Sequence, residues 1–237
     1  MTATVIIPTT GSPEVKQAIE SVLNQTYPTE CYIVVDGSEN SMKVFDILDD
    51  FVGNEKIKVC HLPVNVGANG FYGHRVYAAF THLVNTKYVL YLDQDCWMDV
   101  NHVKSCIDTI ENNILDWSYS LRAITDKDGI NLTFDNCESL GKWPVFSGDY
   151  NHIDTNCYCL KTEVAVKIAS VWHGGWGQDR VWFKALSQYF PKFDVTGKYT
   201  LNYRLAGNDG SVKKEFFEYG NKVMNDKYNG VLPWQKI

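Results

Sequence analysis

No long apolar run occurs in this 237-residue sequence. The cleanest, at residues 88–92, is five residues, where a membrane-crossing helix needs roughly 20, so no membrane span is expected. Met1-Thr2-Ala3-Thr4 carries no basic residue, and the apolar stretch that follows stops at Pro8, which gives no expectation of a secretory signal. No CxxC pair exists among the seven cysteines, at 31, 60, 96, 106, 137, 157 and 159. That spacing suits neither a zinc knuckle nor a redox dithiol, and the odd count fits reduced, structural thiols in a cytoplasmic compartment. A basic excess is missing as well: the formal net charge of −6 argues against nucleic acid as a partner. Repeats and a linker are absent, so one domain over residues 1–237 is expected.

What the sequence has is aromatic bulk. Its 7 Trp, 14 Tyr and 11 Phe can build a core that a disordered chain could not. In the first half, strand patterns alternate with helical ones. Residues 4–8, 31–36, 57–60 and 88–92 read as strands, and apolar stripes at 15–23, 44–51 and 72–84 read as helices. Ser12 and Pro13 suit the N-cap and first position of the first helix. Strands separated by single helices need right-handed crossovers, so the fold class is α/β, an open, mostly parallel twisted sheet with flanking helices. The second half is less regular. It reads as a helix at 101–110, strands at 119–124 and 154–160, a loop at 131–150, helices at 163–171 and from Gln178, then short strands and a helix near 212–219. A smaller antiparallel element is expected there.

Ligands of open α/β sheets bind outside the carboxyl ends of the strands. Pro8-Thr9, Asp36-Gly37-Ser38 and Asp93-Gln94-Asp95 all fall at such ends and should share one crevice. Asp93 and Asp95 can hold a hard divalent cation together with substrate phosphates, although the same spacing occurs in solvated turns. Asp36 either accepts hydrogen bonds from a nucleotide or simply opens the turn at Gly37. The loop from Asn65 to Gly70 permits close backbone approach, and Arg75 beyond it can pair with a diphosphate or lie solvated. No Gly-Lys-Ser/Thr follows, which excludes a P-loop. In the stretch 172–180, Trp172 and Trp176 offer ring faces to sugar C–H groups. Asp179 suits the first turn of a helix on dipole grounds alone.

In order, Val5-Ile-Ile-Pro-Thr9, Ala18-Ile with Ser21-Val-Leu and Gln25-Thr-Tyr, and Ile33-Val-Val-Asp36-Gly-Ser38 resemble the opening of family 2 glycosyltransferases of the GT-A fold. Asn65-x-Gly67 with Arg75, Tyr91-Leu-Asp-Gln-Asp95 and Gly177-Gln178-Asp179 continue the likeness, which covers most of residues 4–185. The resemblance implies an inverting, metal-dependent enzyme of polysaccharide biosynthesis. It would move a sugar from a UDP- or dTDP-linked donor to a hydroxyl of a saccharide or glycoconjugate acceptor. Residues 1–98 would form the nucleotide-sugar-binding half and 99–237 the acceptor-binding, catalytic half. Pro8, Thr9, Asp36, Asn65, Arg75 and Asp93 would contact the nucleotide, Asp95 with Asp93 would hold Mn²⁺ or Mg²⁺, and Asp179 would be the general base. Asp154, Asn156, Trp172, Trp176 and Gln178 would lie near the donor sugar or acceptor.

The likeness has departures. Many members carry a late His metal ligand after a Tyr-Arg pair. Here Tyr203-Arg204 leads to Leu205-Ala206-Gly207-Asn208-Asp209, leaving Asn208 or Asp209 as substitutes. Gln178 stands where the family has Glu, and the Gln94 between the two acids is similar to relatives that transfer rhamnose from a dTDP donor. Two other classes compete. A sugar nucleotidyltransferase would show a basic, Gly-rich loop after its first strand, and Thr9-Thr10-Gly11-Ser12-Pro13 has no basic residue. A silent nucleotide-sugar- or carbohydrate-binding relative would have no need of both Asp95 and Asp179.

Overall fold

A computed structural model describes residues 2–148, 150–205 and 212–236. The first half runs β1 (Ala3–Thr9), α1 (Val15–Leu23), β2 (Thr29–Val35), α2 (Ser41–Asp49), β3 (Ile57–His61), α3 (His74–Phe80) and β4 (Tyr88–Tyr91). All seven residues of β1 are buried, as a strand between two neighbours and two helical layers requires. β1 pairs in parallel with β2 and β4, and β2 in parallel with β3. Two helix starts differ from the sequence pattern. α1 begins at Val15, not Pro13, because Ser12 donates its hydroxyl to Glu14 and its N–H to Gln94. α3 begins at His74, not at residue 72, because Tyr72 has a φ of 52°, outside helical space.

The second half continues with β5 (Trp97–Met98), α4 (His102–Asn113), β6 (Trp117–Thr125), β7 (Asn131–Phe134), β8 (Tyr158–Lys161), α5 (Thr162–Ile168), α6 (Gln178–Tyr189), β9 (Phe193–Arg204) and α7 (Lys214–Lys227). Both halves share one nine-stranded sheet in the order β3-β2-β1-β4-β8-β6-β9-β5, with β7 beside β6. β8 runs antiparallel to both β4 and β6. The uniformly apolar β4 therefore has one parallel and one antiparallel neighbour. The segment expected to be a loop contributes the edge strand β7, and the expected short strands after Phe193 are one 12-residue strand, β9. Of the strand expected at 154–160, the first part is a 3₁₀ turn, since the Asp154 side chain accepts the Asn156 N–H at 3.0 Å. Among the described residues no helix is long and apolar enough to cross a membrane. All seven cysteines are free thiols, and only Cys60 is not buried.

Candidate active site

The strand order brings the carboxyl ends of β1, β2 and β4 side by side. The Asp36 N–H donates to Thr9 O at 2.8 Å. Thr9 Oγ1 donates to Gln94 Oε1 at 2.7 Å, and that oxygen also accepts the N–H groups of Thr10 (3.0 Å) and Ser12 (3.3 Å). Gln94, facing out between two acids, thus ties the end of β4 to the loop after β1. A neutral amide flanked by carboxylates was the only sequence signal for this role.

Asp36 is buried, and its two oxygens accept the backbone N–H groups of Val66 (2.7 Å) and Gly67 (2.8 Å). It anchors the 65–70 loop against the sheet. Gly67 is obligatory there: a Cβ would collide with the Tyr72 carbonyl oxygen and lie 2.8 Å from Asp36 Oδ2. Pro8 is buried in β1 with its ring against Gly73, so it shapes the crevice floor and offers little surface of its own. In the same loop and in α3, Asn65 Oδ1 and Arg75 Nε are buried without a hydrogen-bond partner. Arg75 lies over the Phe71 ring, with Cζ 3.3 Å from its centroid, and donates from Nη1 to Val66 O at 3.2 Å.

Asp93 and Asp95 follow β4. Asp93 is half-buried, and its carboxylate is held by Tyr77 OH, donating to Oδ1 at 2.8 Å, and Asn156 Nδ2, donating to Oδ2 at 2.9 Å. Burial, with the charges of Asp95 and Asp154 adding to it, raises the Asp93 pKa to about 7. Burial raises that of Asp95 as well. Two carboxylates pushed toward protonation fit a divalent cation, whose charge would relieve both. Asp95 is the more open of the two, with one oxygen accepting only the Cys96 thiol at 3.6 Å. Among the described residues no group of three His, Cys, Asp or Glu side chains converges. A cation here would find one or two protein carboxylates and would need its remaining oxygen ligands from elsewhere, as Mg²⁺ usually does. Asn208 and Asp209, the candidate substitutes for a late His, lie outside the described residues.

A buried charge network supports this pair. Arg122, in β6, is 3% exposed and pairs with Asp135 (2.8 Å), Glu138 (2.7 Å) and Asp154 (2.5 Å). Asp154 Oδ1 accepts Asn156 Nδ2 at 2.8 Å, and Asn156 Oδ1 accepts the Asp93 N–H at 2.5 Å. Asp154 and Asn156 therefore reach the site through Asp93 and not through an open surface. On the other side, Arg204 Nε at the end of β9 donates to Asp95 O at 3.1 Å and fixes that backbone. Sequence reasoning missed both arginines as supports: Arg122 reads as an ordinary strand residue, and its carboxylates come from distant, irregular segments.

The stretch before α6 separates its two tryptophans. Trp172 is fully buried, stacked on Trp182 with centroids 4.3 Å apart and on His74 at 5.7 Å. The ring face expected of Trp172 is packed into the core, whereas Trp176 is 78% exposed. Gln178 turns back to donate from Nε2 to Val171 O, closing the loop instead of facing outward. Asp179 opens α6. Its Oδ2 lies 3.5 Å from Nε2 of His152, a buried residue the sequence did not single out. This loop also rests on the segment that leads into α3. His74 Nδ1 is 3.1 Å from Gly174 O, and the His74 pKa is lowered by burial. A Cβ at Gly175 would stand 3.0 Å from Gly70 O, and one at Gly174 would collide with the Gln178 amide.

Comparison with known proteins bears on the family and the fold. The model of glycosyl transferase family 2 matches residues 4–137. An uncharacterized protein of Haemophilus influenzae is 29% identical over 110 residues, covering 39% of this chain and 74% of that protein. The structure of S. aureus TarS 1–349 in complex with UDP-GlcNAc superposes with a TM-score of 0.65 at 16% identity, covering 98% of this chain and 67% of that one. The complex with UDP gives 0.63 at 16% identity, and this chain spans 61% of that TarS chain. At such identity the likeness is one of fold. The matched segment carries β1, β2, β4 and the acidic pair, and on that match the chain belongs to glycosyl transferase family 2.

Proposed function

We propose that the chain is an inverting, metal-dependent glycosyltransferase acting on a UDP- or dTDP-linked sugar and a hydroxyl of a saccharide or glycoconjugate, with Asp179 as general base. What carries the reading is the packing of the Asp179 loop on the nucleotide-side loop, through His74 and Gly174 and through Gly175 and Gly70. That packing supports reading the carboxylate on α6 as part of the crevice lined by Asp93 and Asp95. Asn65 Oδ1 and Arg75 Nε, an acceptor and a donor buried without a hydrogen-bond partner, support a polar role for this part of the half formed by residues 1–98. The UDP and UDP-GlcNAc named with TarS favour a uridine donor.

In the transfer, the acceptor oxygen bonds to the anomeric carbon from the face opposite the diphosphate. The bond from that carbon to the diphosphate oxygen breaks, the electron pair leaves with the diphosphate, and the hydroxyl proton passes to Asp179. His152 orients the Asp179 carboxylate through Nε2. Asp93 and Asp95 would hold Mn²⁺ or Mg²⁺, which would offset charge developing on the diphosphate. Residues 99–237 supply the acceptor side, with Trp176 the exposed ring for it. The test is a panel of nucleotide sugars assayed for Mn²⁺-dependent transfer or hydrolysis. Asp179→Asn should abolish turnover and keep donor binding, and Asp95→Ala should weaken metal-dependent binding. Near-normal transfer by Asp179→Asn would exclude it as the base.

A further inference from the structure

Next to Asp179 lies a cation with no part in the mechanism above. Arg180 is half-buried in the first turn of α6, and its Cζ stands over the ring of Tyr150 at 5.0 Å and over that of Trp176 at 5.2 Å. Both rings are open to solvent, Trp176 at 78% and Tyr150 at 39%. The Arg180 N–H donates to Asp179 Oδ1 at 2.8 Å, while His152, two residues beyond Tyr150, approaches Asp179 Oδ2. One segment, 150–152, thus sets both the guanidinium and the carboxylate.

Aromatic faces attract a guanidinium and hold it in place, yet they accept none of its N–H groups in conventional hydrogen bonds. Among the described residues no carboxylate forms an ion pair with Arg180. The groups that match the guanidinium fork are carboxylate and phosphate, each able to take two parallel N–H bonds. At −6 the chain as a whole does not draw anions in, so recognition of one has to come from a local cation of this kind.

We propose that Arg180, held over Tyr150 and Trp176, is an anion subsite for the acceptor, and that the acceptor carries a phosphate or carboxylate near the hydroxyl that receives the sugar. The proposal rests on Asp179 being the base and extends it by naming the acceptor's chemical class. Trp176 then has two roles, steadying the guanidinium and offering an apolar face to C–H groups of the acceptor. The negative charge brought beside Asp179 is balanced where it sits.

The test titrates the full chain, with UDP and Mg²⁺ saturating, with three probes: glycerol 3-phosphate, glucuronate and glycerol. At least one anion should bind in the millimolar range by calorimetry, and glycerol should not. Which anion binds separates a phosphate acceptor from a carboxylate one. Arg180→Met should weaken the anion at least tenfold and leave UDP affinity within twofold, Trp176→Ala should weaken it less, and Arg180→Lys should restore only part. Anion binding that is unchanged in Arg180→Met, or absent altogether, overturns the subsite. Failure of UDP itself to bind counts against the nucleotide-sugar reading instead. The titration is therefore repeated without nucleotide, where dependence on Arg180 still decides the subsite.

Discussion

Replacing Arg122 with methionine removes the counter-charge of three carboxylates at once. Breaking a buried ion pair by deleting one partner costs about 3–5 kcal/mol, because the remaining charge stays buried and uncompensated. Exposure of the partners differs: Asp135 is 0% exposed at its side chain, Asp154 12% and Glu138 14%. Asp135 therefore bears most of the loss. It keeps the N–H groups of Cys137, Glu138 and Ser139, at 3.0, 2.8 and 3.0 Å. That compensation places the expected cost near ~3–4 kcal/mol. For a chain of this length it corresponds to a Tm loss of about 6–16 °C.

The deficit should depend on pH. Burial alone would raise the Asp135 pKa, but Arg122 and the three backbone donors outweigh it and hold the value below the ordinary range. In the wild type its contribution is present above the unfolded value near ~3.9 and is lost as pH falls through the depressed folded value. Without Arg122 the buried carboxylates are raised instead, and protonation relieves them. The gap in Tm between wild type and Arg122→Met should thus narrow between pH 7.5 and 5, measured by scanning calorimetry. A loss below about 2 °C, or a gap that stays constant across that range, would refute the idea that this arginine balances the three acids.

Three further outcomes are expected. Asp93, raised to about 7 when folded, favours the fold fully below the unfolded value of ~3.9 and loses that contribution as pH rises through 7; the metal-free Tm should carry a downward contribution between about pH 4 and 7 that levels off above 7, and Asp93→Asn should remove that part of the slope. Trp172→Ala should cost ~3–5 kcal/mol by opening a core cavity, and Trp176→Ala within ~0.5 kcal/mol, so denaturant melts that rank them the other way would contradict their burial. Gln94→Leu leaves the Thr9 hydroxyl and two N–H groups without their acceptor, which should cost about 1–3 kcal/mol and lower UDP affinity; unchanged melting and titration would show that the β1 loop holds itself.

The crevice was legible because strand ends are punctuated. Apolar runs stop at Thr9, at Asp36 and at Asp93, and parallel connectivity obliges those ends to meet. Burial inside the Gly-rich stretch was not legible. Trp172 and Trp176 have the same composition around them, and only the 3₁₀ turn that continues α5 sends one inward. β5 is two residues and β7 four, too short for a period to show, while β9 is interrupted by register shifts against β6. Arg122 depends on partners from irregular segments and His152 itself lies in one, so nothing local marks them.

The glycines before α6 also bear on how this protein can diverge. Position 174 is closed to a side chain by the Gln178 amide, a Cβ at 175 would press on the Gly70 carbonyl at 3.0 Å, and Gln178 is itself engaged with Val171. Within that loop the exposed residues are His173 and Trp176. Of those two, His173 lies with its ring 5.9 Å from that of Phe71, so a lineage, or an engineer, seeking a new substrate has Trp176 as the position to vary. Substitution at the rest disturbs the contact between the two loops first.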